Sequence, residues 1–202
     1  MKAIEFLADS LDRLRDFPAD ARREAGFELD NVQNGIEPAD WKPMKTVGAG
    51  VREIRIREAS GAFRVIYLAT LPDAVYVLHC FQKKTQATPR ADIDLAAARL
   101  RDLEGQKMTE QQRFASVWDA IEDTPAEAEN MKLRAALMRA ITEQAAAWPG
   151  TDTEKAHRLG ITGPRFSNLK AGKINAFSLD ALVAIAVAAG LSLGLSISGR
   201  AA

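Results

Sequence analysis

Cysteine is nearly missing from this 202-residue chain. The single Cys80 excludes an intrachain disulfide, and its place inside an apolar run marks a buried, inert thiol rather than a nucleophile. Histidine is almost as scarce: with only His79 and His157, a Cys/His metal cluster is excluded by count, and neither a metal nor another cofactor is expected. No run reaches the ~18 apolar residues of a membrane-spanning helix, and the residues after Met1-Lys2 do not form the apolar core of a secretory signal. A cytoplasmic protein without membrane contact is therefore expected. Net charge is missing too, at 27 basic against 27 acidic side chains, whereas a hydrophobic content of 47% is ample for packed cores.

That balance conceals uneven segments. Residues 1–40 carry 5 basic and 10 acidic side chains, whereas residues 41–90 carry 9 and 3. Residues 108–152 carry 4 and 8, and residues 153–202 carry 6 and 2. Each basic region thus follows an acidic one. Basic regions attract nucleic acid through its phosphates, and an acidic segment can occupy such a surface when nucleic acid is absent.

Three runs in the first basic region, Val51–Glu58, Phe63–Ala69 and Ala74–Phe81, are rich in Val, Ile, Tyr and Phe and are separated by Ser60-Gly61 and Pro72-Asp73. This pattern predicts an antiparallel meander. Ile54 and Ile56 alternate with Glu53, Arg55 and Arg57, which gives one core face and one charged face. Arg64, Lys83 and Lys84 add cations at strand positions and ends. Such a sheet suits a polyanion, although Lys and Arg also serve simply to solvate a face and blunt an edge. Around the meander, Lys2–Leu7 reads as a further strand, Ser10 as the cap of a helix through Phe17, and Pro18 as the start of a helix stopped by Gly35. Thr88-Pro89 opens another helix, with Ile93, Ala96, Ala97, Leu100 and Leu103 as its apolar stripe, ending near Gly105. The polar stretch 105–112 reads as a linker and divides the chain into residues 1–107 and 108–202.

Taken together, Trp41-Lys42-Pro43, Glu53 with Arg55, Arg64 with Tyr67, and Leu78-His79 with Phe81, Lys83, Lys84 and Pro89 resemble the phage-type branch of the RelE/HigB superfamily of toxin ribonucleases. The resemblance implies an α+β domain with a small antiparallel sheet. It also implies metal-independent cleavage of messenger RNA on the ribosome, in which a 2′-hydroxyl attacks the adjacent phosphodiester. Arg64 and Lys83 or Lys84 would stabilise the phosphate, Arg55 would assist, and Tyr67 or Phe81 would stack a base. Glu53 and His79 both stand as candidates for the general base.

In the second half, Phe114, Val117, Trp118 and Ile121 predict a short helix stopped by Asp123-Thr124-Pro125, followed by a long one that ends at Trp148-Pro149-Gly150. Thr153–Leu159 and Gly163–Ala171 then read as two helices joined through Gly160, with Thr162 as a cap and Ala156, Leu159, Ile161, Phe166 and Leu169 packed between them. This stretch, with Arg165-x-Ser167-x-Leu169, Gly172-Lys173, Phe177-Ser178-Leu179-Asp180 and Leu182, resembles the helix-turn-helix of the XRE/HigA repressor family. The resemblance implies an all-α, lambda-repressor-like domain with its core over residues 151–189. Thr162, Arg165, Ser167, Asn168, Lys170 and Lys173 would then meet operator DNA. Thr153 and Gly163 stand where the family usually has glutamine, which removes one phosphate brace and one base-reading side chain. Beyond a last helix capped by Ser178, Leu191, Leu193, Leu195 and Ile197 alternate with Ser and Gly, which predicts a C-terminal strand and a homodimer formed through it.

A toxin-like half followed by an antitoxin-like half is the order of HigBA modules. The expected function is therefore an mRNA endoribonuclease restrained by a DNA-binding half that also represses its own operon. The halves are expected to meet at Phe114, Val117, Trp118 and Ile121, with Asp119, Glu122 and Asp123 turned toward the basic surface. In a second reading the first half is a catalytically inactive docking domain of a transcriptional repressor.

Overall fold

The computed structural model describes residues 1–84, 87–105 and 110–194, which fall into two compact units, Met1–Lys132 and Leu133–Ala202. The first unit begins with β1 (Ala3–Leu7), α1 (Ser10–Arg15) and α2 (Ala19–Gln33). β2 (Trp41–Pro43), β3 (Val51–Glu58), β4 (Gly61–Leu68) and β5 (Ala74–Lys83) follow, then α3 (Arg90–Glu104), β6 (Gln111–Phe114) and α4 (Val117–Ile121). The division expected at 107/108 lies outside the described residues, and β6 and α4 pack within the first unit.

The strands form one sheet in the order β2-β3-β4-β5-β1-β6. Its β3-β4-β5 meander is antiparallel, as the turn residues dictate. The sheet as a whole is mixed rather than antiparallel, because β1 lies parallel to β5 with Ala3 opposite Ala74 and Phe6 opposite Val77. The α1–α2 connection carries the chain away from β1, so the meander returns to it in the same direction. β6 is not legible as a strand, since Gln111-Gln112-Arg113 has no apolar alternation. It pairs antiparallel with β1, and Phe114, expected in a helix, ends this strand opposite Ile4. The Phe114 and Phe6 rings meet edge to face, 6.2 Å apart.

Both faces of the sheet are covered. On one side Ile66, Leu68, Tyr76, Leu78 and Phe81 pack with Ala96 and Leu100 of α3. On the other side Phe63 meets Phe17 at 4.8 Å. Ser10 is not the cap of α1: it lies inside the helix, fully buried, and donates its hydroxyl to the Val77 carbonyl at 3.0 Å. That bond fastens α1 to β5.

The second unit begins within α5 (Pro125–Ala146) and continues with α6 (Asp152–Arg158), α7 (Gly163–Lys170), a 3-10 turn at Ile174–Ala176, and α8 (Leu179–Ala188). Each helix start has a chemical cause. Thr151 and Glu154 form a reciprocal capping box on α6, Thr162 accepts from Arg165 N–H on α7, and Ser178 accepts from Ala181 N–H on α8. Gly160, at φ +68°, takes the left-handed conformation that the turn between α6 and α7 needs. Leu191–Gly194 has no regular structure, and Leu195 and Ile197 of the expected strand lie outside the described residues. Among the described residues no helix is long and apolar enough to cross a membrane.

Glu28 of α2 is 4% exposed and accepts from the Ala39 N–H at 3.0 Å and the Asn31 amide at 3.5 Å. Burial pushes its pKa from the ordinary 4.5 up to about 7; the two donors oppose the rise, and Glu24 and Asp40 reinforce it. Because the folded state disfavours the ionised form, the stability Glu28 contributes is intact at low pH and is lost as pH climbs from about 4.5 through about 7. The urea midpoint should accordingly fall between about pH 5 and about pH 8, and Glu28→Gln should flatten that fall. An unchanged pH slope in the variant would assign the titration to another group.

Candidate nucleic-acid interfaces

Strand alternation decides which residues of the meander can act together. Arg55 pairs directly with Arg64, Arg64 with Phe81, Glu53 with both Lys42 and Ile66, and Lys83 with Ala62. Lys42, Glu53, Arg55, Arg64, Phe81 and Lys83 consequently share one face. Tyr67 does not join them. Three residues after Arg64 on the same strand, it falls on the opposite face, paired with Arg52 and 1% exposed, where no base can stack on it.

The shared face is built around a buried anion. Glu53 is fully buried; its Oε1 lies 3.3 Å from Arg64 Nε and 3.5 Å from Lys42 Nζ, and its Oε2 accepts from the Thr88 hydroxyl at 3.5 Å. Arg64 is itself 4% exposed and donates to the Phe63 carbonyl at 2.7 Å. Burial lowers the Arg64 pKa, and Glu53 opposes that shift. Arg64 is thus turned into the protein. The charge that this face presents to solvent comes from partly exposed Lys42, Arg55 and Lys83; Lys84 is exposed one residue past the end of β5. Arg55 is ion-paired with Asp40. The Lys83 ammonium is pulled below its usual pKa by desolvation and by repulsion from Arg64, with Lys42 and Arg55 adding to the effect and Glu53 opposing it.

His79 and Phe81 form a shelf beside this cluster. The imidazole is fully buried, holds Asp92 of α3 through Nε2 at 2.8 Å, and stacks on Phe81 at 5.3 Å. Burial lowers its pKa, with Asp92 opposing. Phe81 is 7% exposed. Neither His79 nor Glu53 presents a free basic atom at the surface. What the arrangement can do is hold polyanionic phosphate against several cations whose spacing is fixed from beneath. Lys42 carries no assigned role in the sequence; its contribution comes from pairing across β2 and β3, and a three-residue strand leaves no pattern to read. Among the described residues there is no cluster of His, Cys, Asp and Glu able to hold a metal.

In the second unit, Phe166 and Leu169 anchor α7, which leaves Thr162, Arg165, Ser167 and Lys170 exposed and Asn168 and Lys173 partly so. At 3.6 residues per turn, Ser167 and Asn168 point away from that core, whereas Arg165 and Lys170 flank it. Arg165 lies over the Phe177 ring at 4.9 Å, and Lys170 is ion-paired with Asp152. His157 belongs with Thr162 and Arg165 to the lining of a surface hollow beside α8.

Of the residues expected where the two halves meet, Val117, Trp118 and Ile121 are buried against α2, and Phe114 is half-buried. Glu122 pairs with Arg23 of α2 at 2.7 Å, and Asp119 pairs with Lys132 at 2.6 Å.

Two family models match the chain. Residues 12–101 match the phage-derived Gp49-like proteins, and residues 120–198 match a helix-turn-helix domain. No curated protein and no solved structure matches it.

The buried Glu53–Arg64 pair should matter most when it is broken from one side. Glu53→Ala leaves a guanidinium buried without its anion and should cost about 3 kcal/mol in urea unfolding, whereas Glu53→Gln with Arg64→Met should cost clearly less. Equal losses from the single and double changes would show that Glu53 stabilises the unit through packing rather than charge.

Proposed function

We propose that this chain, a Gp49-like domain of the RelE/HigB toxin type followed by a helix-turn-helix domain, is a toxin–antitoxin protein whose first half cleaves messenger RNA and whose second half binds operator DNA. The reading rests above all on the cations gathered on one face of the meander around the buried Glu53. Lys42, Lys83 and Lys84 would take the phosphate oxygens, and Arg55 would join them by exchanging Asp40 for substrate. Arg64 would act from beneath, fixing Glu53 and the local field. Lys83, made more acidic by desolvation and then by its cationic neighbours, suits delivery of a proton to the leaving 5′-oxygen. Glu53 and His79 suit positioning better than proton abstraction, because both are enclosed, so the attacking 2′-hydroxyl would give up its proton to solvent water.

The second half would bind a palindromic operator as a dimer and so repress its own operon. Ser167 and Asn168, which point away from the core of α7, would meet the groove, and Lys170 and Lys173 the backbone. Alternation at Leu191–Ile197 in the sequence is the basis for the homodimer. A second reading, in which the first half docks without cutting, draws its support from the inward turn of Arg64 and the enclosure of both candidate bases.

Translation reactions separate the two readings. Residues 1–132, the whole first unit, should cleave translated messenger RNA mapped by primer extension, and Lys83→Ala should lower the rate about 10²–10³-fold. Folded protein that leaves the messenger intact would favour the inactive docking domain.

Operator binding has its own signature in fluorescence anisotropy. Asn168→Ala should cost about 1–3 kcal/mol on the operator and relax the preference at one base pair, while Lys173→Ala should weaken operator and random DNA alike and reduce the salt slope by about one. Equal losses on both DNAs for Asn168→Ala would remove it from the base-reading set.

A further inference from the structure

Residues 111–122 are held in the first unit by strand pairing and by side chains that reach their backbone. β6 adds to the β1 edge through four pairs, from Ile4 with Phe114 to Leu7 with Gln111. The rest of the segment is gripped by side chains from α1 and α2. Gln33 donates its amide to the Ala115 carbonyl at 3.0 Å and accepts the Val117 N–H at 2.9 Å, reading backbone on both sides of Ser116. Arg15 places two N–H groups on the Ala120 carbonyl, at 2.9 and 2.7 Å, and Arg23 clasps both oxygens of Glu122 at 2.9 and 2.7 Å. Strand addition at an edge with backbone read by side chains is how folded domains take up extended peptides.

At the centre of the grip is a hole. Gly26 sits in the middle of α2, where glycine costs about 1 kcal/mol relative to alanine. A Cβ at this position would come within 2.5 Å of Ile121 Cδ1 and 2.9 Å of Trp118 Cζ3. Both side chains are enclosed, Ile121 at 1% and Trp118 at 0% exposure, so a Cβ there would have to displace buried groups. The Trp118 indole N–H has no hydrogen-bond partner among the described residues, so the ring is accepted for its shape. Moreover, the segment lies largely between the Gp49-like match, which ends at 101, and the helix-turn-helix match, which begins at 120.

We propose that the groove formed by β1, α1 and α2 is a peptide-recognition site, that residues 111–122 are its ligand, and that Gly26 is the keyhole reading Trp118. The partner it fits is a peptide that runs as an edge strand, turns at a serine, and continues as a short helix bearing Trp, Ile and Glu in the spacing of Trp118, Ile121 and Glu122. Recognition of this kind does not depend on chain continuity, and it stands whether or not the first unit cleaves RNA. The groove also leaves the cation face open, since it uses the opposite side of the sheet and the far β1 edge.

The test uses the full chain with a protease site placed between Gly105 and Glu110. After cutting, the two pieces should co-elute, and a synthetic peptide of residues 110–123 added in excess should displace the second piece. Trp118→Ala should weaken the association about 30-fold or more, and Trp118→Phe markedly less. Gly26→Ala should act with opposite signs: it should weaken the association while raising the melting temperature of the separated first piece, because alanine is the better helix former. Wild-type pieces that part on cutting, a first piece that unfolds once its partner is displaced, or unchanged affinity in Gly26→Ala would each overturn the proposal. The first two would make residues 111–122 an ordinary part of the fold.

Discussion

A carboxylate with no exposure, Glu53, is the constraint on which the face of the meander depends. An isolated charge at such a place would neutralise or unfold the sheet; it persists because Arg64 and Lys42 approach it and Thr88 donates to it. The consequence reaches the surface. Lys42 is held beside Arg64 rather than repelled from it, and Lys83 is kept in a field of three other cations that a bare cluster could not sustain at this spacing. The anion beneath is what allows so much positive charge to be gathered above. Binding of phosphate would relieve the same repulsion, which is the physical basis of the proposed polyanion contact.

The expected meander was legible because its three strands are rich in Val, Ile, Tyr and Phe, the first of them alternating, and its turns carry Ser-Gly and Pro-Asp. Alternation also contained a warning about Tyr67: residues three apart on one strand point to opposite faces, so Arg64 and Tyr67 could not line one site. Register between strands was not legible. It sets Phe81 directly across from Arg64, and a bulge on β5 leaves Leu78 as an extra residue between Val77 and His79, which face Tyr67 and Ile66. β2 and β6 escaped for a different reason. Three residues, or four mostly polar ones, form strands only because an edge is offered to them, and that is a property of the partner rather than of their own sequence.

Local chemistry was more readable in the second unit. Thr162 and Ser178 were recognisable caps, and both accept the expected N–H bonds. The same logic failed at Ser10, where a buried carbonyl of β5 competes for the hydroxyl and wins, since an unsatisfied buried acceptor costs more than a missing cap on a six-residue helix. Composition likewise placed the acidic side chains of residues 119–123 opposite a basic surface, but the sheet cations already have Glu53 and Asp40. Glu122 meets Arg23 on α2, and Asp119 is taken by Lys132.

The sheet therefore separates two kinds of interaction by face. Cations, the His79–Phe81 shelf and α3 occupy one side; α1, α2 and the buried Trp118 occupy the other. Gly26 shows what this separation demands locally. A helix-weakening residue is retained in a well-packed helix where alanine would improve the helix itself, and the nearest atoms it admits belong to Ile121 and Trp118. Stability of α2 and accommodation of Trp118 make opposing demands on one atom, the missing Cβ. Because that conflict is settled on the face away from Lys42 and Lys83, a change at Gly26 can alter how residues 111–122 are held without moving those cations, and a change at Lys83 can alter the cation face without loosening Trp118.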